Sequence, residues 1–226
     1  MIDIENGYAI LIDKPYTWTS FQVVKKIKYK INHLYGKKIK IGHAGTLDPL
    51  ATGLLIICIG KFTKRIEEFQ AQEKEYTGSF TLGATTPSFD LEHPVDQTFP
   101  IEHITHEQIM SVAKELTGKM DQIPPMFSAK WIDGKRAYKL ARENNQEVEL
   151  KPKEIEIKEF EITKIEIPKV YFRIVCSKGT YIRSIARDFG LMLQSGAYLS
   201  SLCRTRIGDY NLKDAVKLED LEEHFQ

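Results

Sequence analysis

At 226 residues and 42% hydrophobic content the chain can bury the core of one large domain or two small ones. Its three cysteines, Cys58, Cys176 and Cys203, are odd in number and lack CxxC spacing, which excludes a disulfide framework and a cysteine-based zinc or redox site. No stretch reaches the ~18 apolar residues of a membrane span, and MIDIENGYAILIDKP places no basic leader before its apolar run, so a cytoplasmic protein is expected. The net charge of +1 hides strong blocks: residues 1–65 carry +7, 66–168 carry −8, 169–206 carry +6 and 207–226 carry −4. Each basic block alone reads as a solvated face; joined by the fold, the two would form a surface suited to phosphate.

In chain order, YAILID (8–13) reads as a strand, Pro15 stops it, and Thr19 or Ser20 can cap a helix beginning near Phe21. Phe21, Val24, Ile27, Lys28 and Ile31 then recur at helical spacing. GKKIKIGHAGTLDPLATG is largely irregular backbone, delivered onto the apolar run LLIICIG (54–60), a buried strand. KEYTGSFTLG (74–83) alternates, with Tyr76, Gly78, Phe80 and Leu82 on one face, and THEQIMSVAKELTGK (105–119) is a helix that Gly118 can end. Between them lies a Pro-punctuated loop. The segment 121–144 is irregular, basic and aromatic, a candidate clamp, with a further helix expected around Arg136–Arg142. From Ile155 to Ile167 the alternation changes phase twice, which predicts bulges or strand breaks. VYFRIVC (170–176) is a strand, a helix follows with Ile182, Ile185, Ala186, Phe189 and Leu193 on one face, and YLSSLCRTRIGDY (198–210) alternates again. With no repeat or linker, the expectation is one mixed α/β domain of the α+β kind over 1–226, rich in antiparallel pairs, with a possible lobe around 85–150.

Within GHAGTLDPLATGLL, Pro49 disfavours a helical conformation for Asp48, and Gly42, Gly45 and Gly53 allow sharp turns and close approach of a ligand. Asp48 is either an Asx turn capping its own loop or a carboxylate placed for chemistry on an anomeric carbon. The second reading calls for a guanidinium to hold the acid ionised and oriented, and CSKGTYIRSIARD offers Arg183 and Arg187 one helical turn apart. Arg183 stands either inward beside Ile182 and Ile185 or on the helix surface.

GHAGTLDPLATGLL, KEYTGSFTLG, PPMFSAKWIDGKRAYKLAR and CSKGTYIRSIARDFG, in that order after ILIDKPYTWTSFQVV, resemble the TruB family of tRNA pseudouridine synthases over nearly the whole chain. The resemblance implies the pseudouridine synthase fold, a largely antiparallel central sheet flanked by helices and RNA-binding loops. It implies isomerisation of a tRNA T-loop uridine, position 55, to pseudouridine, without metal or cofactor, by an enzyme acting as a monomer with no obligate protein partner. Asp48 then matches the catalytic aspartate, attacking C1′ or acting through a glycal route. Tyr76 matches the active-site tyrosine, otherwise a core aromatic, and Arg183 matches the arginine that pairs with the aspartate. His43 and Tyr181 match substrate contacts and Leu202 a leucine of the uracil pocket, while Lys14, Lys61, Lys64, Lys130, Lys178 and Arg204 are candidate RNA contacts. A T-loop uridine must be flipped out of its stack, which costs a few kcal/mol and is offset by stacking and phosphate contacts.

The chain departs from the family pattern in three places. Thr86-Pro87-Ser88-Phe89-Asp90 stands where T-D-T-x-D is usual, Lys153 replaces an arginine, and the sequence stops at Gln226 where many relatives continue into a PUA domain. Two other readings stand beside the enzyme: a non-catalytic tRNA-folding chaperone, and a guide-RNA-dependent pseudouridine synthase subunit.

Overall fold

The computed structural model describes residues 6–36, 38–127, 131–132, 135–136 and 150–221. In chain order the elements are β1 (Tyr8–Lys14), α1 (Ser20–Tyr35), β2 (Ile41–His43), β3 (Ala51–Ile59), a 3-10 turn (Gly60–Arg65) and α2 (Ile66–Ala71). Then come β4 (Lys74–Leu82), β5 (Ala84–Thr85), β6 (Gln97–Thr98), α3 (His106–Glu115), β7 (Gly118–Gln122), β8 (Trp131–Ile132) and β9 (Lys135–Arg136). The chain continues through β10 (Lys153–Glu166), β11 (Lys169–Cys176), α4 (Ile182–Met192), β12 (Ala197–Ile207), β13 (Tyr210–Asn211), a 3-10 turn (Leu212–Asp214) and β14 (Val216–Lys217). The α+β class expected from the sequence is the one observed, with strands largely antiparallel. The helix expected around Arg136–Arg142 and most of the 121–144 clamp lie outside the described residues. Two compact units divide the chain: residues up to Thr77 with those from Ser201 onward, and Gly78–Ser200.

In the first unit β3 is central. It pairs antiparallel with β1 and β2 and parallel with β12, while β1 pairs parallel with β14. Leu55, Ile57 and Ile59 face the core cluster under α1, built with Ile10, Ile12, Val23, Val24, Ile27 and Ile31. Leu54, Ile56 and Cys58 point the other way, onto Ala44, Phe69 and Ile207. A strand buried on both faces reads as an unbroken apolar run, which is why LLIICI shows no alternation. Helix α1 starts with a capping box: the Thr19 hydroxyl accepts from the Gln22 N–H (3.1 Å) and the Gln22 side chain accepts from the Thr19 N–H (2.7 Å). Phe21, at helical spacing with the core positions, is 70% exposed. At 3.6 residues per turn it stands about 120° around the helix from Ile27, outside the buried stripe.

The turn between β1 and α1 carries Thr17 at φ +68°, left-handed backbone that a β-branched side chain rarely adopts. Thr17 is exposed and its hydroxyl bonds only locally, to the Tyr16 carbonyl (2.6 Å). Thr17→Gly is therefore expected to raise Tm by about 2 °C, since relief of left-handed strain exceeds the flexibility that glycine adds to the unfolded chain. A calorimetric scan showing a lower Tm would refute it.

In the second unit β10 pairs antiparallel with β7 and with β11. The β10–β11 register slips between Ile157 and Glu159 and again between Ile162 and Lys164, at the two phase changes visible in the sequence. Phe80, Phe160, Phe172 and Phe189 form one aromatic cluster that joins β4, β10, β11 and α4, with Phe80 and Phe172 centroids 4.3 Å apart. The α4 face expected to be apolar is buried. Helix α3 has its own capping box from Thr105 and Gln108, but it ends at Glu115, three residues before the glycine expected to stop it. Its last turn tightens through Thr117 N–H to Lys114 C=O, and Gly118, at φ +115°, opens β7 instead.

Candidate active site

Asp48 is half-buried on the loop that leaves β2 and enters β3. Its own carbonyl accepts from the Ala51 N–H (3.1 Å), which turns the chain into β3. The loop is tied at three points. At its start the Arg204 guanidinium donates from Nη2 to the Gly45 carbonyl (3.1 Å) and from Nε to the Leu54 carbonyl (2.8 Å). In the middle the Ser20 hydroxyl accepts from the Leu47 N–H (2.9 Å) and donates to the Leu47 carbonyl (3.1 Å). On the far side Lys14 Nζ donates to the carbonyls of Pro49 (3.3 Å), Pro15 (3.0 Å) and Trp18 (2.5 Å). Gly53 permits the parallel contact behind the loop: it sits at φ +97°, and a Cβ there would overlap the Arg204 main chain.

This corrects two expectations. Lys14 and Arg204, expected among the RNA-contacting cations, are 0% and 1% exposed and spend their donors on main-chain carbonyls of this loop and its neighbours. Burial lowers the Lys14 amine to about 8; nearby Asp48 opposes this, Arg204 adds to it and Asp13 opposes it. Lys61 and Lys64 are exposed on the 3-10 turn after β3, and Lys178 is exposed between β11 and α4. Lys130 lies outside the described residues.

His43 closes β2, half-buried, and burial first, then Arg204, lowers its pKa against a smaller opposing hydrogen bond with the Gly45 backbone. Its imidazole is therefore neutral at pH 7. Leu202 on β12 stands opposite Ala51, three residues beyond Asp48, and its carbonyl accepts from the Thr52 hydroxyl (3.4 Å). Tyr76 is buried on β4. The first unit thus gathers His43, Asp48, Leu202, Lys14 and Arg204 around one loop, with Tyr76 on a strand of that unit.

Arg183 and Tyr181 belong to the second unit. Arg183 points inward from α4 and is 4% exposed. Its Nη1 donates to the carbonyls of Phe127 (3.0 Å) and Ser88 (3.3 Å), and its Nε lies 3.6 Å from the Asp90 carboxylate. Tyr181 caps α4 and is bracketed by the Gln122 amide, which accepts from its N–H (2.8 Å) and donates to its carbonyl (3.2 Å). Asp90, Ser88 and Gln122, which the sequence reading does not single out as site residues, hold Arg183 and Tyr181. The signal for Asp90 was the acidic last position retained in the divergent loop: a buried guanidinium needs an anionic or carbonyl partner, and the loop supplies both.

Among the described residues no group of His, Cys, Asp and Glu is placed to hold a metal ion, and no helix is long and apolar enough to cross a membrane. Cys58 and Cys176 are buried free thiols and Cys203 is half-buried; burial pushes Cys58 up to about 11.

The model of the TruB family pseudouridylate synthase N-terminal domain matches residues 32–182, and that of the tRNA pseudouridylate synthase B C-terminal domain matches residues 183–226. The tRNA pseudouridine synthase B of Phocaeicola vulgatus is 54% identical over 223 residues, 98% of this chain and 94% of that protein. The enzyme of the same name from Flavobacterium johnsoniae is 55% identical over 222 residues, covering 97% and 96%. Among solved structures, a chain of a Cbf5-Nop10-Gar1 complex superposes with a TM-score of 0.73 at 29% identity, covering 98% of this chain and 55% of the other.

Proposed function

The chain belongs to the TruB family of pseudouridylate synthases, and from that premise we propose that it isomerises uridine 55 in the T-loop of tRNA with Asp48 as the catalytic carboxylate. The reaction breaks the N1–C1′ bond, turns the base and joins C1′ to C5; the C5 proton leaves to solvent and N1 regains one, so no atom is gained or lost. The observation that carries the assignment of Asp48 is its loop, fixed at Gly45, Leu47 and Pro49 so that a half-buried carboxylate is presented on rigid backbone. Attack on C1′ and removal of the C2′ proton both start from such a carboxylate.

The other roles follow the same reading. Tyr76 meets the base, Arg183 supplies the guanidinium, His43 and Tyr181 contact the substrate, and Leu202 lines the uracil pocket. A neutral imidazole at His43 suits stacking on a flipped or neighbouring base. Lys61, Lys64, Lys178 and Lys130 serve the phosphates of the T-arm, a contribution that weakens with salt. The enzyme works as a monomer in the cytoplasm.

The 54% identity to the tRNA pseudouridine synthase B of Phocaeicola vulgatus, against 29% to the Cbf5-complex chain, favours a tRNA enzyme. The test is to incubate the purified protein alone with unmodified tRNA tritiated at uridine C5. One tritium released per tRNA is expected. No release would point to a chaperone or to a guide-dependent enzyme instead.

A further inference from the structure

We infer that Phe89 and Arg187 are positioning residues, holding the 86–90 loop so that Ser88 and Asp90 fix the Arg183 guanidinium; this rests on the catalytic reading of Arg183. Phe89 sits at φ +62°, left-handed backbone that suits glycine and that a bulky side chain keeps only where its surroundings impose it. Those surroundings are identifiable. The Phe89 N–H donates to the Thr86 carbonyl (3.1 Å) and its carbonyl accepts from the Leu199 N–H (2.9 Å), so both backbone groups are engaged. The Arg187 guanidinium lies over the ring, 5.2 Å from its centroid, and is itself oriented by Asp188 (2.8 Å).

The turn imposed at Phe89 decides where its two neighbours point. Ser88, before it, directs its carbonyl to Arg183 Nη1 (3.3 Å), and Asp90, after it, directs its carboxylate to Arg183 Nε (3.6 Å). Thr86 and Ser88 hydroxyls donate to the Asp90 carbonyl (2.6 and 3.4 Å), and the Glu92 N–H donates to Asp90 Oδ1 (3.0 Å), so the knot is closed on itself. Arg183 and Arg187 are four residues apart on α4, one turn of helix, and each grips the same loop: the first by its polar groups, the second by its aromatic ring. Thr86-Pro87-Ser88-Phe89-Asp90, where the chain departs from T-D-T-x-D, thus keeps an acid for Arg183 and adds a ring for Arg187.

The experiment uses the full chain and tRNA substrate, with kcat, KM and Tm measured for Phe89→Gly, Phe89→Tyr, Arg187→Gln, the Phe89→Gly/Arg187→Gln pair and Arg183→Lys. Glycine accepts φ +62° without strain, so Phe89→Gly removes the ring while leaving the fold: Tm unchanged or higher, KM within about twofold, and kcat down on the order of 10- to 100-fold, the cost of a misplaced catalytic group. Arg187→Gln shows the same split, the double variant is no worse than either single one, and Phe89→Tyr retains near wild-type kcat. Wild-type kcat in Phe89→Gly, or a raised and more salt-sensitive KM with unchanged kcat in Arg187→Gln, overturns the inference while Arg183→Lys remains impaired. Unchanged kcat in Arg183→Lys removes the catalytic reading of Arg183 and the inference with it.

Discussion

Asp48→Asn is expected to lower kcat on tRNA by about four orders of magnitude or more, with tRNA affinity nearly unchanged and Tm lowered by no more than a few degrees. The amide has the size and shape of the carboxylate but neither attacks C1′ nor removes a proton from C2′. The ties from Lys14, Ser20 and Arg204 run to main-chain groups of Gly45, Leu47 and Pro49, so they survive the substitution. Pro49 still holds residue 48 extended. One side effect follows from the charges: Asp48 is the largest influence raising the Lys14 pKa against burial, so its loss drives that pKa below its already depressed value of about 8. Single-turnover tritium release, tRNA filter binding and calorimetry together check the prediction. A loss of binding or folding comparable to the loss of rate would place Asp48 among the structural residues of the loop.

Arg204→Met is expected to destabilise the protein by about 2–4 kcal/mol and to lower Tm by roughly 5–15 °C. Methionine fills much of the same volume, so the cost lies in the hydrogen bonds. The buried Leu54 carbonyl and the half-buried Gly45 carbonyl lose donors, and an unsatisfied buried carbonyl costs about 1–3 kcal/mol. Relief from burying a cation offsets part of this. Arg204→Lys keeps the charge but not the fork that reaches two carbonyls on either side of Asp48, so it restores only part of the stability. Urea unfolding measures both. Had Arg204 been an RNA contact, either variant would have melted like the wild type and bound tRNA more weakly, and that result would reject the buried role.

Patterns carried by neighbouring residues were legible without the structure. The double phase change from Ile155 to Ile167 reported the two slips of β10, because alternation has a period of two and an extra residue inverts it. A cap at Thr19 or Ser20, which the structure places at Thr19, LLIICI as buried strand and the apolar face of α4 are equally local. Burial of charge is different. Lys14 and Arg204 sit in basic blocks and read as surface cations; what buries Arg204 is the register that sets it opposite Gly53, and no local pattern encodes a pairing across that separation. Helix α3 is shorter than its sequence pattern implies for a related reason: a glycine able to end a helix is also needed to begin a strand.

That register also bears on how the protein is made. The hydrogen bond from Arg204 to the Leu54 carbonyl spans 150 positions of sequence, with the whole second unit between its partners. A ribosome that has released residues 42–59 has delivered Asp48 but not the guanidinium that moulds its loop. The Asp48 loop therefore takes its final form only after the intervening unit has been synthesised, and a nascent chain halted before residue 204 holds it by Ser20 and Lys14 without the Arg204 tie.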